Sequence, residues 1–304
     1  MSKRVAVLLG GWSAEREVSL SSGTECAAAL RESGYDVEEI DVTRDVEALL
    51  KRLEPRPDVV FNALHGRFGE DGHIQAMLNI LEIPYTHSGL LASATAMDKA
   101  RSKEIFRAAG IQCTEGQVLH VGDLRGGIVI DPPYVIKPNN EGSSVGVHII
   151  LPGDNYLPVD DWQYGSNALV EPYIPGRELT VAVMGDRALG VTELRPNDGF
   201  YDYEAKYTDG KTVHLCPAPV PDSIAQLCME NAVTAHRALG CRGVTRADFR
   251  YDDTMRNPGE LYLLEINTQP GMTPLSLVPE QAKHVGMSFP ELVSWMVENA
   301  ACDA

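Results

Sequence analysis

The strongest constraint on this chain is a change of rhythm near residue 95. Before it, short apolar runs alternate with stretches of helical period. Residues 5–9 form an apolar run ending in Gly10-Gly11, residues 22–33 repeat apolar side chains at helical spacing, and Gly34 stops them. Residues 36–42 and 58–64 read as further strands, 46–53 and 73–81 as helices, and 83–85 as a last short strand. This alternation predicts a helix-covered parallel sheet over residues 1–95. Beyond it, Asp98 caps a helix running to Gly110, and strand-like segments at 134–137, 146–150 and 168–171 are separated by turns, which predicts an antiparallel second lobe over 96–172. A third lobe, 173–304, carries strands at 179–184, 188–194, 244–251 and 260–266 and helices at 223–239 and 289–299. The expected class is α/β in three lobes, without internal repeat, and residues 152–166 read as loop. A chain of 304 residues is long enough to divide in this way and leave a cleft between lobes.

Composition narrows the function classes. Hydrophobic residues at 44% and charged residues at 23% are those of an ordinary globular chain. A net charge of -17, with 26 scattered Lys and Arg, argues against a nucleic-acid partner, because phosphate binding needs clustered cations. The apolar run after Lys3-Arg4 is broken by Trp12, Glu15, Arg16 and Glu17, so it is too short for a signal peptide, and no stretch approaches the roughly 20 apolar residues of a membrane span. Six well-separated cysteines offer neither paired zinc spacing nor disulfide density, which fits reduced thiols and a cytoplasmic location.

Four constellations can carry chemistry. Arg246 and Asp248 alternate on one expected strand and Glu265 and Asn267 on the next. Side chains two apart share a strand face, so adjacent strands would bring three oxygen donors together, a set that suits Mg²⁺ or Mn²⁺. The same residues on an exposed face, paired to Arg246, would need no metal. In residues 134–147 a strand ends in Lys137, a loop of small residues follows and another strand begins; such a loop can lay N–H groups over phosphates, or be an ordinary hairpin. It is not a Walker A loop, since no Lys-Ser/Thr follows Gly142. The connector from Glu171 to Glu178, stiffened by Pro172 and Pro175, exposes backbone groups able to read an adenine edge, with Glu178 placed for a ribose hydroxyl; it would serve equally as a plain linker. Finally, residues 10–17 and 65–72 both follow strands, at the edge where open α/β sheets bind ligands. Gly10-Gly11 lacks the third glycine of a dinucleotide fingerprint, and Glu15 and Glu17 would repel a pyrophosphate, so a cationic amino group fits Glu15 better.

In this order and at these separations the motifs closely resemble those of the D-alanine:D-alanine ligases, members of the ATP-grasp superfamily. The resemblance runs through GGWSAEREVS at 10–19, HGRFGEDG at 65–72, MDKARSK at 97–103, KPNNEGSSVG at 137–146, FYDYEAKY at 200–207, RADF at 246–249 and EINTQPGMTPLS at 265–276. It implies an ATP-grasp fold, with an N-terminal open parallel-sheet lobe and two α+β lobes enclosing ATP. Lys99 and Lys137 resemble the phosphate-binding lysines, Glu171 with Pro172, Tyr173 and Ile174 the adenine contacts, Glu178 the ribose contact and Phe200 a residue packed near the base. Lys206 resembles a further phosphate contact, which also reaches substrate. Asp248, Glu265 and Asn267 resemble the ligands of two Mg²⁺ ions, which Mn²⁺ can replace.

The resemblance further implies that Glu15 holds the first D-alanine's ammonium with His65 nearby, and that Arg246 and the N–H of Gly271 form an oxyanion site. Ser276 and Leu277 would bind the second D-alanine's carboxylate, while Ser143 and Tyr207 tie the loops over the site with Glu15. The implied activity is ligation of two D-alanines through a D-alanyl phosphate, for peptidoglycan precursor synthesis, by a cytoplasmic homodimer. A D-lactate acceptor is the nearest alternative, and Tyr207 speaks against it, since the ester-forming relatives typically carry Phe there. A nucleotide-binding oxidoreductase or sensor built on Gly10-Gly11 is the alternative from another class.

Overall fold

The computed structural model describes residues 2–124, 130–142, 145–154, 160–197, 210–256 and 258–303. Among them three sheets form. The first is parallel, with order β2-β1-β3, built from β1 (Arg4–Gly10), β2 (Asp36–Val42) and β3 (Val59–Asn62). Its central strand is buried on both faces, as an apolar run without polar alternation requires. Val5, Val7 and Leu9 pack with α1 (Arg16–Glu32), whereas Ala6 and Leu8 point the other way, toward α2 (Val46–Arg52) and α3 (His73–Ile80).

The expected elements of this lobe are present with shifted bounds, except the strand at 83–85. Helix α1 begins at Arg16, six residues before its apolar period becomes legible. Residues 83–85 do not form a strand: Tyr85 makes single bridges to Val60 and to Ala301. Helix α4 (Leu90–Met97) was not anticipated. It runs up to Asp98, which accepts the Arg101 N–H at 3.1 Å and starts α5 (Lys99–Ala108).

The second sheet is antiparallel with order β4-β7-β5-β6: β4 (Gln117–His120), β5 (Tyr134–Pro138), β6 (His148–Ile150) and β7 (Asn167–Pro172), with the short α6 (Val121–Leu124) after β4. The third has order β10-β9-β8-β11-β12, every neighbour antiparallel, from β8 (Arg177–Met184), β9 (Arg187–Pro196), β10 (Thr212–Leu215), β11 (Val244–Asp252) and β12 (Glu260–Asn267). One face of this sheet, with Leu179, Val181, Phe249 and Leu263, is covered by α7 (Asp222–Ala238). Helix α8 (Leu277–His284) follows the 268–276 loop. Helix α9 (Phe289–Glu298), started by a Ser288 capping box, packs back against α1. Among the described residues no helix is long and apolar enough to cross a membrane.

Helix α1 lies so close to β1 that a Cβ on Gly23 would meet Leu9 Cβ at 2.4 Å. That contact is with a side-chain root and not with a flexible tip, so the strands or the helix must shift. Gly23→Ala is expected to lose about 2–3 kcal/mol through overpacking and to regain about 1 kcal/mol of helix propensity. The net destabilisation, on the order of 1–2 kcal/mol, is read from urea unfolding. An unchanged or raised midpoint would show that α1 can move away from β1 freely.

Candidate active site

The register of β11 and β12 assembles the centre of the site. Asp248 stands opposite Glu265, and Arg246 opposite Asn267. Between Asp248 and Phe249 the register shifts, so Phe249 pairs with Leu263 and Leu264 is the extra residue on β12. This bulge breaks the strict alternation and allows Leu264 and Glu265 both to line a cleft while Leu263 stays in the core. Asp248 accepts from Arg246 at 2.8 and 2.7 Å and from the Thr180 hydroxyl at 2.7 Å. Glu265 is paired with Lys99 at 3.1 Å. The three oxygen donors anticipated as metal ligands thus share one region of the sheet. Among the described residues no group of three or more His, Cys, Asp or Glu side chains is drawn together to hold a metal ion; Asp248 is paired with Arg246 and Glu265 with Lys99.

Two clefts meet here. The first is lined by Lys137, Glu171, Pro172, Tyr173, Ile174 and Glu178 together with Asp248. The second is lined by Glu15, His65, Arg246, Gly271, Ser276 and Leu277 together with Asn267. Lys99, Glu141, Gly142 and Glu265 belong to both walls. Lys99 binds the Glu141 carbonyl at 2.6 Å, which pins the loop after β5 to β12. Every anticipated site residue within the described segments therefore borders one of these two adjoining clefts. Ser143, Phe200, Lys206 and Tyr207 lie outside the described residues.

At the back of the first cleft, Glu171 is buried between two ammonium groups, those of Lys103 and Lys137, and accepts the Thr114 hydroxyl at 2.7 Å. Burial alone would raise its carboxyl, but the two lysines outweigh it and hold it down at about 2. Burial, then Lys137, lower Lys103 to about 8. Two cations on one anion leave this wall with surplus positive charge, suited to an anionic ligand. Arg250 stitches the connector down: its guanidinium donates to the carbonyls of Ile174 at 3.1 Å and Gly176 at 2.9 Å and lies 3.6 Å from Glu178. Sequence reading missed Lys103 and Arg250. Arg250 was within reach, since it continues the alternation of Arg246 and Asp248. Lys103 carried no signal, as its position four after Lys99 suggests only a helix face.

In the second cleft, Glu15 is the N-cap residue of α1, yet its side chain makes no capping bond and borders the cavity. Its backbone N–H donates to Ser13 Oγ at 3.1 Å, and Ser13 donates to the His65 carbonyl at 2.7 Å. The two strand-end loops are thereby locked together. Gly66, at φ 70°, passes so near that a Cβ would meet Glu15 Oε2 at 2.7 Å, which only glycine accommodates. His65 is buried against Ser22, and burial, with Arg246 nearby, lowers it to about 4, so the imidazole is neutral. Glu70, also missed, is buried in the same wall; burial and then Glu15 raise it to about 8. Across the cavity Ser276 precedes α8 but turns its hydroxyl to the Thr273 N–H at 2.9 Å. Ser276 thus makes no side-chain cap on α8, whose first residue, Leu277, borders the cleft, and a helix N-terminus there favours a carboxylate.

Residues 129–298 match the model of the D-ala D-ala ligase C-terminus, and residues 46–88 that of the N-terminus. The chain is 58% identical over 302 residues to a D-alanine–D-alanine ligase of Acidiphilium cryptum, covering 99% of both chains. It is likewise 58% identical over 306 residues to one of Parvibaculum lavamentivorans, with 99% of both covered. Among solved structures it resembles the D-alanine–D-alanine ligase of Bacillus anthracis complexed with ATP, at 31% identity and a TM-score of 0.81, covering 98% of this chain and 97% of that one. The VanG D-Ala:D-Ser ligase of Enterococcus faecalis is similar at 27% identity and a TM-score of 0.79, covering 98% and 99%.

Glu171 gives a pH-dependent test. Its folded value lies below the ordinary glutamate value, so its contribution to stability is present above that value, about 4.3, and is lost as pH falls toward about 2. Glu171→Gln is expected to cost about 3–5 kcal/mol at pH 7, since it leaves two buried ammonium groups without their anion. The gap between wild type and variant should narrow on acidification below about pH 4.3. Urea unfolding at successive pH values measures both, and a gap that stays constant into acid would refute the ion cluster.

Proposed function

We propose that this chain, which belongs to the D-alanine–D-alanine ligase family, joins two molecules of D-alanine at the expense of ATP, making a peptidoglycan precursor. The observation that carries the reading is the meeting of a cleft lined by Lys137, Glu171 and Glu178 with one lined by Glu15, Arg246 and Ser276 on the shared residues Lys99 and Glu265. A γ-phosphate and a substrate carboxylate brought to that junction are poised for transfer.

In the first step the carboxylate of one D-alanine attacks the γ-phosphorus, giving D-alanyl phosphate and ADP. In the second the amine of another D-alanine attacks the acyl carbon, loses a proton and expels phosphate. Both steps gather negative charge, so catalysis is mostly positioning and electrostatic stabilisation. Glu15 holds the first ammonium beside the neutral His65. Arg246 and the Gly271 N–H face the developing oxyanion, and Ser276 with Leu277, at the open N-terminus of α8, receive the second carboxylate. In the nucleotide cleft Lys99 and Lys137 meet phosphates, Glu171 and the backbone of Pro172 to Ile174 read adenine, and Glu178 meets ribose. We assign Phe200 to packing near the base, Lys206 to phosphate, and Ser143 and Tyr207 to closing the site with Glu15.

The oxygen set of Asp248, Glu265 and Asn267 fits two Mg²⁺ ions, or Mn²⁺, which when bound neutralise the β- and γ-phosphate charge. The three-lobe division at residues 95 and 172, a cytoplasmic location and a homodimer complete the reading; α9 returns from the third lobe onto the first.

The test is phosphate release from ATP and Mg²⁺ with and without D-alanine, with the dipeptide identified as product. Release without D-alanine dependence would sink the reading. Glu265→Gln keeps the shape and removes a charge, and turnover is expected to fall at least about a hundredfold, equivalent to about 2.7 kcal/mol of transition-state stabilisation. Near-normal turnover at saturating Mg²⁺ would show that Glu265 is not a metal ligand.

A further inference from the structure

Glu70 is a buried carboxylate in the wall of the substrate cleft for which the reaction outlined above has no task. It lies in the loop between β3 and α3, 7% exposed, and its Oε1 accepts the Gly66 N–H at 2.8 Å. The same glycine lies close to Glu15: a Cβ on it would meet Glu15 Oε2 at 2.7 Å. Gly142 measures how closely the two acids converge: a Cβ there would stand 3.4 Å from Glu15 Oε2 and 3.6 Å from Glu70 Oε1. Two carboxylates from different elements thus reach one spot on the cavity wall.

We propose that Glu70 is a second carboxylate for the amino group of the first D-alanine, and that the Glu15–Glu70 pair holds one proton in the ligand-free cleft and releases it when that ammonium binds. This rests on Glu15 being the ammonium site. Like charges close together in a buried place do not both ionise, so one acid keeps its proton until a cation compensates it. The groups around Glu70 agree. Glu15 faces it from the start of α1 and Asp71 adjoins it, both raising its proton affinity. Arg246 on β11 opposes them but is committed to Asp248. His65 is neutral and has no proton to give. On the far walls Lys99 is tied to Glu265 and to the Glu141 carbonyl.

The balance is simple. The amino acid enters as its ammonium form, the Glu70 carboxyl loses a proton to solvent, and two carboxylates then face one cation. Burial and then Glu15 raise Glu70 above the ordinary carboxylate range, so at pH 7 a proton leaves as D-alanine binds. Ammonium binding favours the ionised acid, so affinity rises up to about tenfold per pH unit below about 8 and levels off above it.

The experiment is calorimetric titration of D-alanine into the full chain with ADP and Mg²⁺, at pH 7, in two buffers of different ionisation enthalpy. We expect heats that differ by close to one proton per site. Glu70→Gln keeps an acceptor for Gly66 but cannot ionise. It should release no proton, bind D-alanine about tenfold or more weakly, and show no pH dependence of binding between about 6 and 8.5. A merely structural Glu70 predicts the same proton release in the variant, and that result overturns the proposal. So does wild type that binds D-alanine without releasing a proton, a measurement that stands even if the variant does not fold. The same preparation is assayed for D-alanine-dependent phosphate release: activity without proton release overturns this inference alone, whereas no D-alanine binding and no activity overturn the ligase reading beneath it.

Discussion

The pairing of β11 with β12 is the constraint on which the site depends. Asp248 faces Glu265, and Arg246 faces Asn267, only in this register. A slip by one residue would turn Arg246, Asp248 and Arg250 into the core and expose Ala247 and Phe249, both fully buried. The apolar face packed against α7 therefore fixes the polar face with the same precision. The bulge at Leu264 refines it, by bringing Leu264 to the nucleotide cleft beside Glu265 without disturbing Leu263.

Charge is handled locally and against the grain of the whole. The chain carries a net charge of -17, yet the cleft gathers Lys99, Lys103, Lys137, Arg246 and Arg250. Each is held by a carboxylate of the site, so none is an isolated buried charge, which would be costly. Lys103 is the extreme case, 1% exposed, bonded to Thr114 and Glu171. A ligand rich in phosphate finds cations already oriented by acids, and it can replace those acids as a partner without first ordering the side chains. Preorganisation of this kind spares the reorganisation that charge development in solution would require.

The sequence disclosed the elements whose signal is local. The strands at 36–42, 134–137 and 260–266 and the Asp98 cap could be read directly, because alternation, β-branched residues and a capping side chain announce themselves within a few positions. The pairing of Asp248 with Glu265 could be read only as conditional on the two strands being neighbours. What stayed hidden depends on distant partners. Helix α8 is short and mixed in character, and it is held by Gln281, which bonds the Ala182 N–H, the Thr180 carbonyl and the Thr192 hydroxyl from strands some ninety or more residues earlier. Residues 83–85 have strand-like composition, but Tyr85 is used as a bridge to Ala301 near the end of the chain. Glu70 carried no signal of its own beyond its place in the HGRFGEDG motif, because nothing in the sequence shows that it bonds Gly66 and approaches Gly142 at the cavity.

A last consequence concerns how the two ends of the substrate cleft are kept at a fixed separation. The Glu15 end belongs to the first sheet and the Ser276 end to the third, so their spacing depends on contacts between lobes. Those contacts are buried and polar. Asn62, at the end of β3, donates to Gln269 at 2.8 Å and to the Gly69 carbonyl at 2.9 Å, and Gln269 in turn donates to the Leu64 carbonyl. Ser22 on α1 accepts the Met272 N–H at 3.2 Å and touches His65 at the same distance. The loop that carries Gly271 and leads to Ser276 is therefore hydrogen-bonded to the very segments that carry His65 and, through Ser13, Glu15. Buried hydrogen bonds are directional and costly to leave unmade, so they set a distance more sharply than apolar contact, which tolerates sliding. A cleft that must bring two small amino acids together end to end needs that kind of fixed length.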